Sequence, residues 1–401
     1  MDATQQAPPG VSVLLDASPP RFSDGERRHR RAAATGLLDA HDLDAILVYG
    51  AHRAGTAVGW LTEWPTTREA ALLLDHSRHD VMLVQFRNHV PQARATAHDD
   101  IDVRWGGGST IATVLTELAA RRAGRVGIIG PLPHTAAARL AGAGVACVGL
   151  DHAYTTLRLV KSDEEVAWLR AGAWLSDLGI AALTAGLRPG VTEHEAVALA
   201  THAYAALGGS THICYLASTA MDDPDRCVPG QLPTTRRLAA GDVVVVELSA
   251  AFHGYAGQVL RTFTIDAPLS PLHRRLHDVA EVARDAVLAV VRDGTTPAQL
   301  RDAAGVIEDA GLTTCDDVVH GFGGGYLPPV VASRSHADAP LPEQPLAAGM
   351  TIVVQPNGVT PDGRAGVQTG ELVLVTAIGY ERLHTTAPGV ITAGTTTAVR
   401  T

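Results

Sequence analysis

Residues 241–263 read GDVVVVELSAAFHGYAGQVLRTF, and this stretch decides what the C-terminal half of the chain can fold into. Its apolar run from Val243 to Leu248 predicts a strand that carries one carboxylate, Glu247. Because an unpaired charge in such a strand would cost several kcal/mol, we expect Glu247 to have a partner or a raised pKa. One candidate partner is Arg261, which would form a structural ion pair.

The pattern on either side of that strand indicates an α+β fold. The sequence is typical of strands from residue 210 onward, of helices at 271–310, and of strands again towards the end. The helical part has two start signals, a Ser-Pro pair at 270–271 and a Thr-Pro pair at 296–297. Helices in the middle of a mostly antiparallel, β-rich half form an α+β arrangement.

The C-terminal domain is predicted to span residues 157–401. A long helix starts near its beginning with a capping box, in which Ser162 caps backbone amides and Glu165 reciprocates. Residues 21–156 alternate between strands and helices in the α/β manner, so we expect a smaller N-terminal domain there. Residues 1–20 contain four prolines and are predicted to be a flexible arm.

The three glycines at residues 106–108 are the one glycine run in the predicted N-terminal domain. Phosphate-binding loops combine such a run with a lysine and with the start of a helix. The run here lacks the lysine, and the sequence around it does not indicate the helix. We therefore predict no phosphate-binding loop.

Composition argues against several classes of protein. The net charge of -10 and the pI near 6.0 do not favour nucleic acid as a partner, because phosphate binding relies on clustered Lys and Arg. No apolar run approaches the roughly 20 residues needed to cross a membrane, and no export signal is visible. The cysteines lack zinc or redox spacing, so reduced core thiols in a cytoplasmic protein are expected; they are Cys147, Cys214, Cys227 and Cys315.

Five segments in a fixed order give a more specific indication. They are LRLVKSDEEVAWLRAGAWLSDLGIAALTAGLRPG with VTEHEA (157–196), GDVVVVELSAAFHGYAGQVLRTF (241–263), VVHGFGGGY (318–326), LAAGMTIVVQPNG (346–358) and AGVQTGELVLVT (365–376). This order resembles the family of aminopeptidase P, prolidase and creatinase. The resemblance implies a C-terminal pita-bread domain, a creatinase-like N-terminal domain and a homodimer.

The resemblance also locates the positions at which metal-dependent members of the family hold two divalent ions. Those members use two aspartates, one histidine and two glutamates, because several anionic oxygens must offset two cations. Glu371 is adjacent to the last position, but strand alternation should turn its side chain to the opposite face. Most of the ligand set is thus absent, so the resemblance implies no metal cofactor; the five positions hold Glu247, Gln258, His320, Gln355 and Gly370.

His320 and Glu247 are the candidate catalytic acid and base. His320 opens the glycine-rich turn HGFGGG, which we expect to leave the imidazole accessible. Gln258 and Gln355 offer a donor and an acceptor without charge, which suits a polar neutral substrate, although drift at vacated positions would also explain them. Four further candidates for substrate binding are Arg261, Glu371, His336 and His212.

Creatinase is a metal-free member of the family, so loss of the ions does not require loss of catalysis. Its guanidinium-binding glutamates would fall at Leu260 and Gln355, and neither is acidic here. Its catalytic histidine precedes the segment that starts at Gly241, yet no histidine lies between Cys214 and Gly241. Creatine is therefore not the expected substrate.

The leading hypothesis is a metal-independent enzyme that hydrolyses a C–N bond in a small polar substrate through His320 and Glu247. A lyase or isomerase could use the same pair. A ligand-binding or scaffolding protein without chemistry is an alternative. A residual metal-dependent Xaa-Pro-type peptidase, using His320, Glu247 and Glu371, is another.

Overall fold

A computed structural model describes residues 7–77, 79–336 and 338–394 of the chain. The chain divides into two compact units between Arg158 and Leu159. One unit holds residues 17–158. The other holds the chain from residue 159 onward, together with the segment before residue 17, which contains helix α1 (Pro9–Asp16).

The unit of residues 17–158 is built on a six-stranded sheet in the order β4-β3-β2-β1-β5-β6. Only β2 runs antiparallel to its two neighbours, β1 and β3; the other neighbouring pairs are parallel. The strands are β1 (Ala45–Ala51), β2 (Glu69–Leu74), β3 (Asp80–Val84), β4 (Ile101–Trp105), β5 (Arg125–Ile129) and β6 (Ala146–Gly149). The helices are α2 (Asp24–His41), α3 (Ala57–Thr62), α4 (Val90–Thr96), α5 (Thr110–Arg121), α6 (His134–Gly142) and α7 (Asp151–Leu157).

The larger unit is built on a nine-stranded sheet with the path β11-β10-β12-β13-β9-β8-β7, with β14 on β13 and β15 on β9. Its helices are α8 (Asp163–Gly186), α9 (Glu193–Ala205), α10 (Pro271–Val290), α11 (Pro297–Ala304) and α12 (Val306–Asp309). Its strands are β7 (Ser210–Ala220), β8 (Asp242–Phe252), β9 (Tyr255–Ile265), β10 (Asp317–Phe322), β11 (Tyr326–Ala332), β12 (Thr351–Val354), β13 (Gly370–Val375), β14 (Tyr380–Arg382) and β15 (Ile391–Ala393). The predicted α+β class is confirmed.

The predicted flexible arm over residues 1–20 is wrong for α1, whose residue Val11 is buried and which packs against α8. The prolines do not prevent this helix. Pro9 lies at its first position, where the missing amide has no intrahelical partner to lose, and Pro19 and Pro20 lie beyond its end. Residues 1–6 of the predicted arm lie outside the described residues.

The glycines at 106–108 have a helix context that was not expected. They follow β4 directly, and α5 begins at Thr110, two residues after the run. The expectation of no helix is therefore wrong, although the lysine of a phosphate-binding loop is still lacking.

The cysteines are not core residues as expected. Cys147 and Cys315 are exposed, and the other two are partly buried. Burial, followed by the neighbouring thiol of Cys315, raises the pKa of Cys227 to about 11. Because the thiolate is the reactive form, this raised pKa disfavours oxidation at Cys227.

Among the described residues, no helix is long and apolar enough to cross a membrane.

Candidate functional site

Glu247 and Gln258 point to the same face of the large sheet. Glu247 of β8 pairs with Leu260 of β9, and Gln258 lies two residues before Leu260 on that strand. Gly370 of β13 also pairs with Leu260. Because side chains alternate between the faces of a sheet and paired residues share a face, these positions face one way.

His320 and Gln355 join this face from the other half of the sheet. His320 of β10 pairs with Val353 of β12, and Gln355 follows two residues after Val353. The Gln355 amide continues the ladder by donating to the Val318 carbonyl at 2.9 Å.

Hydrogen bonds connect three of the four side chains, and the fourth, His320, lies beside them. Gln258 Nε2 donates to Glu247 Oε1 at 2.8 Å and to Gln355 Oε1 at 3.2 Å. The Gln355 side chain lies within hydrogen-bonding reach of His320. Four residues from separate parts of the sequence therefore form one polar cluster, in the order Glu247, Gln258, Gln355, His320. We call it the polar cluster.

Glu247 has a raised pKa, as the sequence led us to expect. Burial is the largest cause, followed by the negative charges of Asp316 and Asp317, and together they raise the pKa of Glu247 to about 7. The carboxyl is partly rather than fully buried. A carboxyl with this pKa can both give and take a proton near neutral pH.

His320 is not accessible, contrary to the sequence expectation. It is only 1% exposed, and the ring of Tyr326 stacks on it with 4.2 Å between ring centroids and 24° between planes. The glycines of the turn do not leave the imidazole open, because they let the chain reverse so that Tyr326 returns over it.

The hydrogen bonding of His320 defines its tautomer. Its Nδ1 lies 3.0 Å from the Gly321 carbonyl oxygen, which can only accept, so Nδ1 carries the hydrogen. In the neutral ring, Nε2 then carries the lone pair that can take a proton. Burial lowers the pKa of His320 below its usual range, which favours this neutral form at neutral pH.

Sequence reasoning missed three residues beside the polar cluster: Asp316, Asp317 and Tyr326. The Tyr326 hydroxyl donates to Asp317 Oδ1 at 2.8 Å. Burial is the main cause of the raised pKa of Asp316. The available signal was the pair of aspartates in CDDVVH, three and four residues before His320.

Arg261 and Glu371 were candidates for substrate binding, but the structure places both on the opposite face of the sheet. Arg261 Nη2 lies 3.3 Å from Glu371 Oε2, and both side chains are buried. Arg382 forms two further short hydrogen bonds with the Glu371 carboxylate, at 2.6 and 2.7 Å. The expected ion pair of Arg261 is therefore with Glu371, and Glu247 has an amide partner instead.

His212 and His336 are not brought into the polar cluster. The His336 Nε2 atom is 3.0 Å from the Thr314 carbonyl oxygen, which orients the ring within its loop. His212 is exposed on β7, and its ring contacts Phe322, which in turn contacts His320. His212 is thus separated from His320 by one aromatic ring.

Gly370 is the fifth of the family's ligand positions, and it lies on the same face of the sheet. A Cβ atom there would lie 2.5 Å from the Val354 carbonyl oxygen and 3.0 Å from the Gln355 Cα atom. Real Cβ atoms do not approach a backbone atom so closely, so β12 and β13 can pack here only because residue 370 has no side chain.

Gly370→Ala is expected to destabilise the protein by about 1–3 kcal/mol, because the added methyl group must push apart two paired strands. Urea unfolding of the full chain measures the change. Gly379→Ala is the matched control, since a Cβ at Gly379 meets nothing within 4 Å. Equal stability of the two variants would contradict the close approach.

The donor set does not fit a two-metal centre. Two of the five positions carry amides in place of carboxylates, and Gly370 has no side chain. Within residues 7–77, 79–336 and 338–394, no group of three or more His, Cys, Asp or Glu side chains could hold a metal ion.

Comparison of the sequence with known proteins gives two domain matches. Residues 30–160 match the Creatinase/Prolidase N-terminal domain, and residues 167–377 match Metallopeptidase family M24. The chain is 27% identical over 242 residues to the putative dipeptidase YkvY of Bacillus subtilis strain 168, an alignment covering 59% of this chain and 63% of that protein. The match thus spans less than two thirds of that relative.

Solved structures agree on the fold. X-Pro aminopeptidase from Thermotoga maritima MSB8 superposes with a TM-score of 0.79 at 18% identity, covering 90% of this chain and 99% of that chain. Dipeptidase PepE from Mycobacterium ulcerans gives a TM-score of 0.76 at 26% identity, covering 93% and 100%. The predicted creatinase-type N-terminal domain and C-terminal pita-bread domain are confirmed, and the chain belongs to metallopeptidase family M24, a family of peptidase and prolidase-like hydrolases.

Proposed function

We propose that this protein hydrolyses a C–N bond in a small polar substrate without a metal ion, with His320 and Glu247 moving the protons. The observation that carries the proposal is the polar cluster itself. It holds a carboxyl with a pKa of about 7 and a neutral imidazole, linked through two glutamines. Two titratable groups with complementary protonation states are the minimum that acid-base hydrolysis needs.

The proposed steps balance for an amide substrate. His320 Nε2 takes a proton from water as the water oxygen bonds to the carbonyl carbon. The Glu247 carboxyl gives its proton to the leaving nitrogen as the C–N bond breaks, which releases an amine and a carboxylic acid. The imidazolium then returns one proton to Glu247 through solvent, and both groups regain their starting states.

Asp316 and Asp317 refine the expected substrate. The two glutamines favour neutral polar groups, but these aspartates add negative charge next to Glu247. A substrate with a protonated nitrogen near the scissile bond would be attracted by that charge. Dipeptides carry such a nitrogen, and the names of the relatives point to the same class.

The binding-protein alternative is favoured by one observation, the burial of His320 under Tyr326. Catalysis requires the tyrosine ring to move aside. Tyr326 is 54% exposed and follows three glycines with positive φ, Gly323, Gly324 and Gly325, so the turn is suited to such a movement.

A lyase or isomerase would use the same proton transfers, and product analysis distinguishes it from a hydrolase.

The residual metal peptidase is disfavoured by the position of Glu371. Its carboxylate is held by Arg261 and Arg382 on the far face of the sheet, so it does not join Glu247 and His320.

Metal content tests the proposal directly. The purified chain is expected to contain no stoichiometric transition metal by elemental analysis, and EDTA is expected to leave turnover of a panel of dipeptides and other small amides unchanged. The reason is that the polar cluster offers one carboxylate and one imidazole where two cations would need several anionic oxygens. One or two metal ions per chain, with activity lost to EDTA and restored by the ion, would contradict metal-independent hydrolysis.

We further propose a cytoplasmic homodimer. The family resemblance supports the dimer, and the four free cysteines fit a reducing compartment such as the cytoplasm. Analytical ultracentrifugation of the full chain and cell fractionation test these two statements.

A further inference from the structure

The unit of residues 17–158 contains a cavity of about 370 Å³. It lies over strands β1 and β2, where Leu47, Tyr49, Glu69 and Ala71 line it, and between the first turns of α5 and α6. Pockets of roughly 300–1,000 Å³ are typical of small-molecule sites. All of its lining residues belong to this one unit, so it is separate from the polar cluster.

Two helices begin at this cavity without a side-chain cap. The Ser109 side chain does not cap α5, and α6 is preceded by Pro133, whose side chain has no atom that could accept from the first-turn amides. Instead, the Ser109 hydroxyl accepts from Arg139 Nη1 at 3.1 Å, and both residues line the cavity. One wall of the cavity is therefore electropositive. It contains uncapped first-turn amides, the positive ends of two helix dipoles and the Arg139 guanidinium.

Two polar atoms of the cavity lining lack a hydrogen-bond partner among the described residues. They are Thr110 Oγ1 and Gln85 Oε1. Thr110 is 5% exposed, so solvent does not compensate its hydroxyl. Neither oxygen has appreciable accessible surface in the free protein, so its side chain must rotate before a ligand in the cavity can reach it. Because a buried polar atom without a partner is unfavourable by about 1–3 kcal/mol, rotation toward a bound ligand is favoured.

The opposite wall has acceptor character. Tyr49 donates its hydroxyl hydrogen to Glu69 Oε2 at 2.5 Å, and burial followed by this contact raises the pKa of Tyr49. The remaining oxygen of Glu69 can accept from a ligand. The lining between the walls includes apolar side chains, among them Ile111 and Val114.

We propose that this cavity binds a small organic anion. Its carboxylate or phosphate group lies against the first turns of α5 and α6 and against Arg139, and a hydroxyl or ammonium group on the same molecule donates to Glu69. Inorganic phosphate can contact the helix termini and Arg139, but it carries no organic hydroxyl or ammonium group to donate to Glu69. An amino acid or a hydroxylated phosphate monoester satisfies both.

Isothermal titration calorimetry on the full chain tests the proposal with inorganic phosphate, L-proline and glycerol 3-phosphate as probes. We expect at least one organic probe to bind more tightly than inorganic phosphate. Preference for glycerol 3-phosphate identifies phosphate chemistry, and preference for L-proline identifies carboxylate chemistry. If none of the three binds at millimolar concentration, or if inorganic phosphate binds best, the proposal is overturned.

Matched variants place the site. Arg139→Gln is expected to weaken the bound probe about tenfold or more, because charge-assisted hydrogen bonds are lost, whereas Arg125→Gln, at an exposed arginine outside the cavity lining, leaves it unchanged. Thr110→Val should weaken binding without lowering the stability of the free protein, since the hydroxyl has no partner to lose. Thr116→Val on the exposed side of the same helix is its control. Unchanged affinity in both Arg139→Gln and Thr110→Val would overturn the site.

Discussion

His320→Gln is expected to reduce turnover by about 10² or more while the protein stays folded. Glutamine can keep one hydrogen bond, to the Gly321 carbonyl, but it cannot take a proton from water near neutral pH. The measurement is turnover of whichever small amide of the panel the wild-type protein cleaves. Thermal melting alongside separates loss of chemistry from loss of folding.

His194→Gln is the control for this variant, because His194 is an exposed helix residue whose ring contacts a backbone carbonyl. Glu247→Gln should give a loss similar to that of His320→Gln. The double variant should then lose far less than the sum of the two, since each proton transfer depends on the other. Unchanged turnover in His320→Gln would remove His320 from the mechanism and shift the assignment to Glu247 with another histidine.

The pH profile of the wild-type enzyme follows from the same two groups. His320 must be neutral to accept a proton, so activity rises with pH through the pKa of His320. That pKa is lowered from its usual value of 6.5, which places the ascending limb of the profile below this pH. Glu247 must be protonated, and its pKa of about 7 places the descending limb there. Activity is therefore expected to rise as pH increases past the lowered pKa of His320 and to fall as pH rises through 7.

Glu247→Gln is expected to stabilise the protein by about 3 kcal/mol at pH 8 and to have little effect at pH 4. The pKa of Glu247 is raised from 4.5 to about 7 on folding, so the folded state holds more protons between these values. The stability contributed by the protonated carboxyl is complete below pH 4.5 and is lost as pH rises through 7. Glutamine stays neutral throughout and keeps that stability.

Urea unfolding at both pH values measures this difference. Glu343→Gln, at an exposed loop position of the same unit, is the control and is expected to show no such pH dependence. If Glu247→Gln is no more stable than the wild-type protein at pH 8, the carboxyl does not have the raised pKa that acid catalysis near neutral pH requires. A gain in stability together with a loss of turnover would indicate a residue kept for chemistry.

Local patterns in the sequence were sufficient for much of the fold. The capping box predicted at Ser162 and Glu165 is present at the start of α8, because its hydrogen bonds join residues only three positions apart. Strand alternation likewise predicted that Glu371 faces away from Glu247, since the side-chain period of two needs no tertiary information.

Contacts that depend on tertiary structure were beyond the sequence. The stacking of Tyr326 on His320 requires the β10–β11 hairpin to close with a particular register. The effect of Asp316 and Asp317 on the pKa of Glu247 depends on how β10 lies relative to β8. These two strands are not neighbours in the sheet. Helix α5 was missed after its glycine run although the sequence carried a signal for it, because Ile111, Val114, Leu115 and Leu118 follow helical spacing.

Gly370 makes the ligand position at 370 harder to fill with a carboxylate than the positions at 258 and 355. A glutamate at this position would place its Cβ atom only 2.5 Å from the Val354 carbonyl oxygen. The strands would first have to separate, so restoring the carboxylates at 258 and 355 would not by itself make room for the one at 370. Engineering a two-metal site into this chain would therefore require a change in the main-chain packing of β12 against β13 before a carboxylate could be placed at position 370. The substitutions that separate the strands would have to come before the substitution at 370.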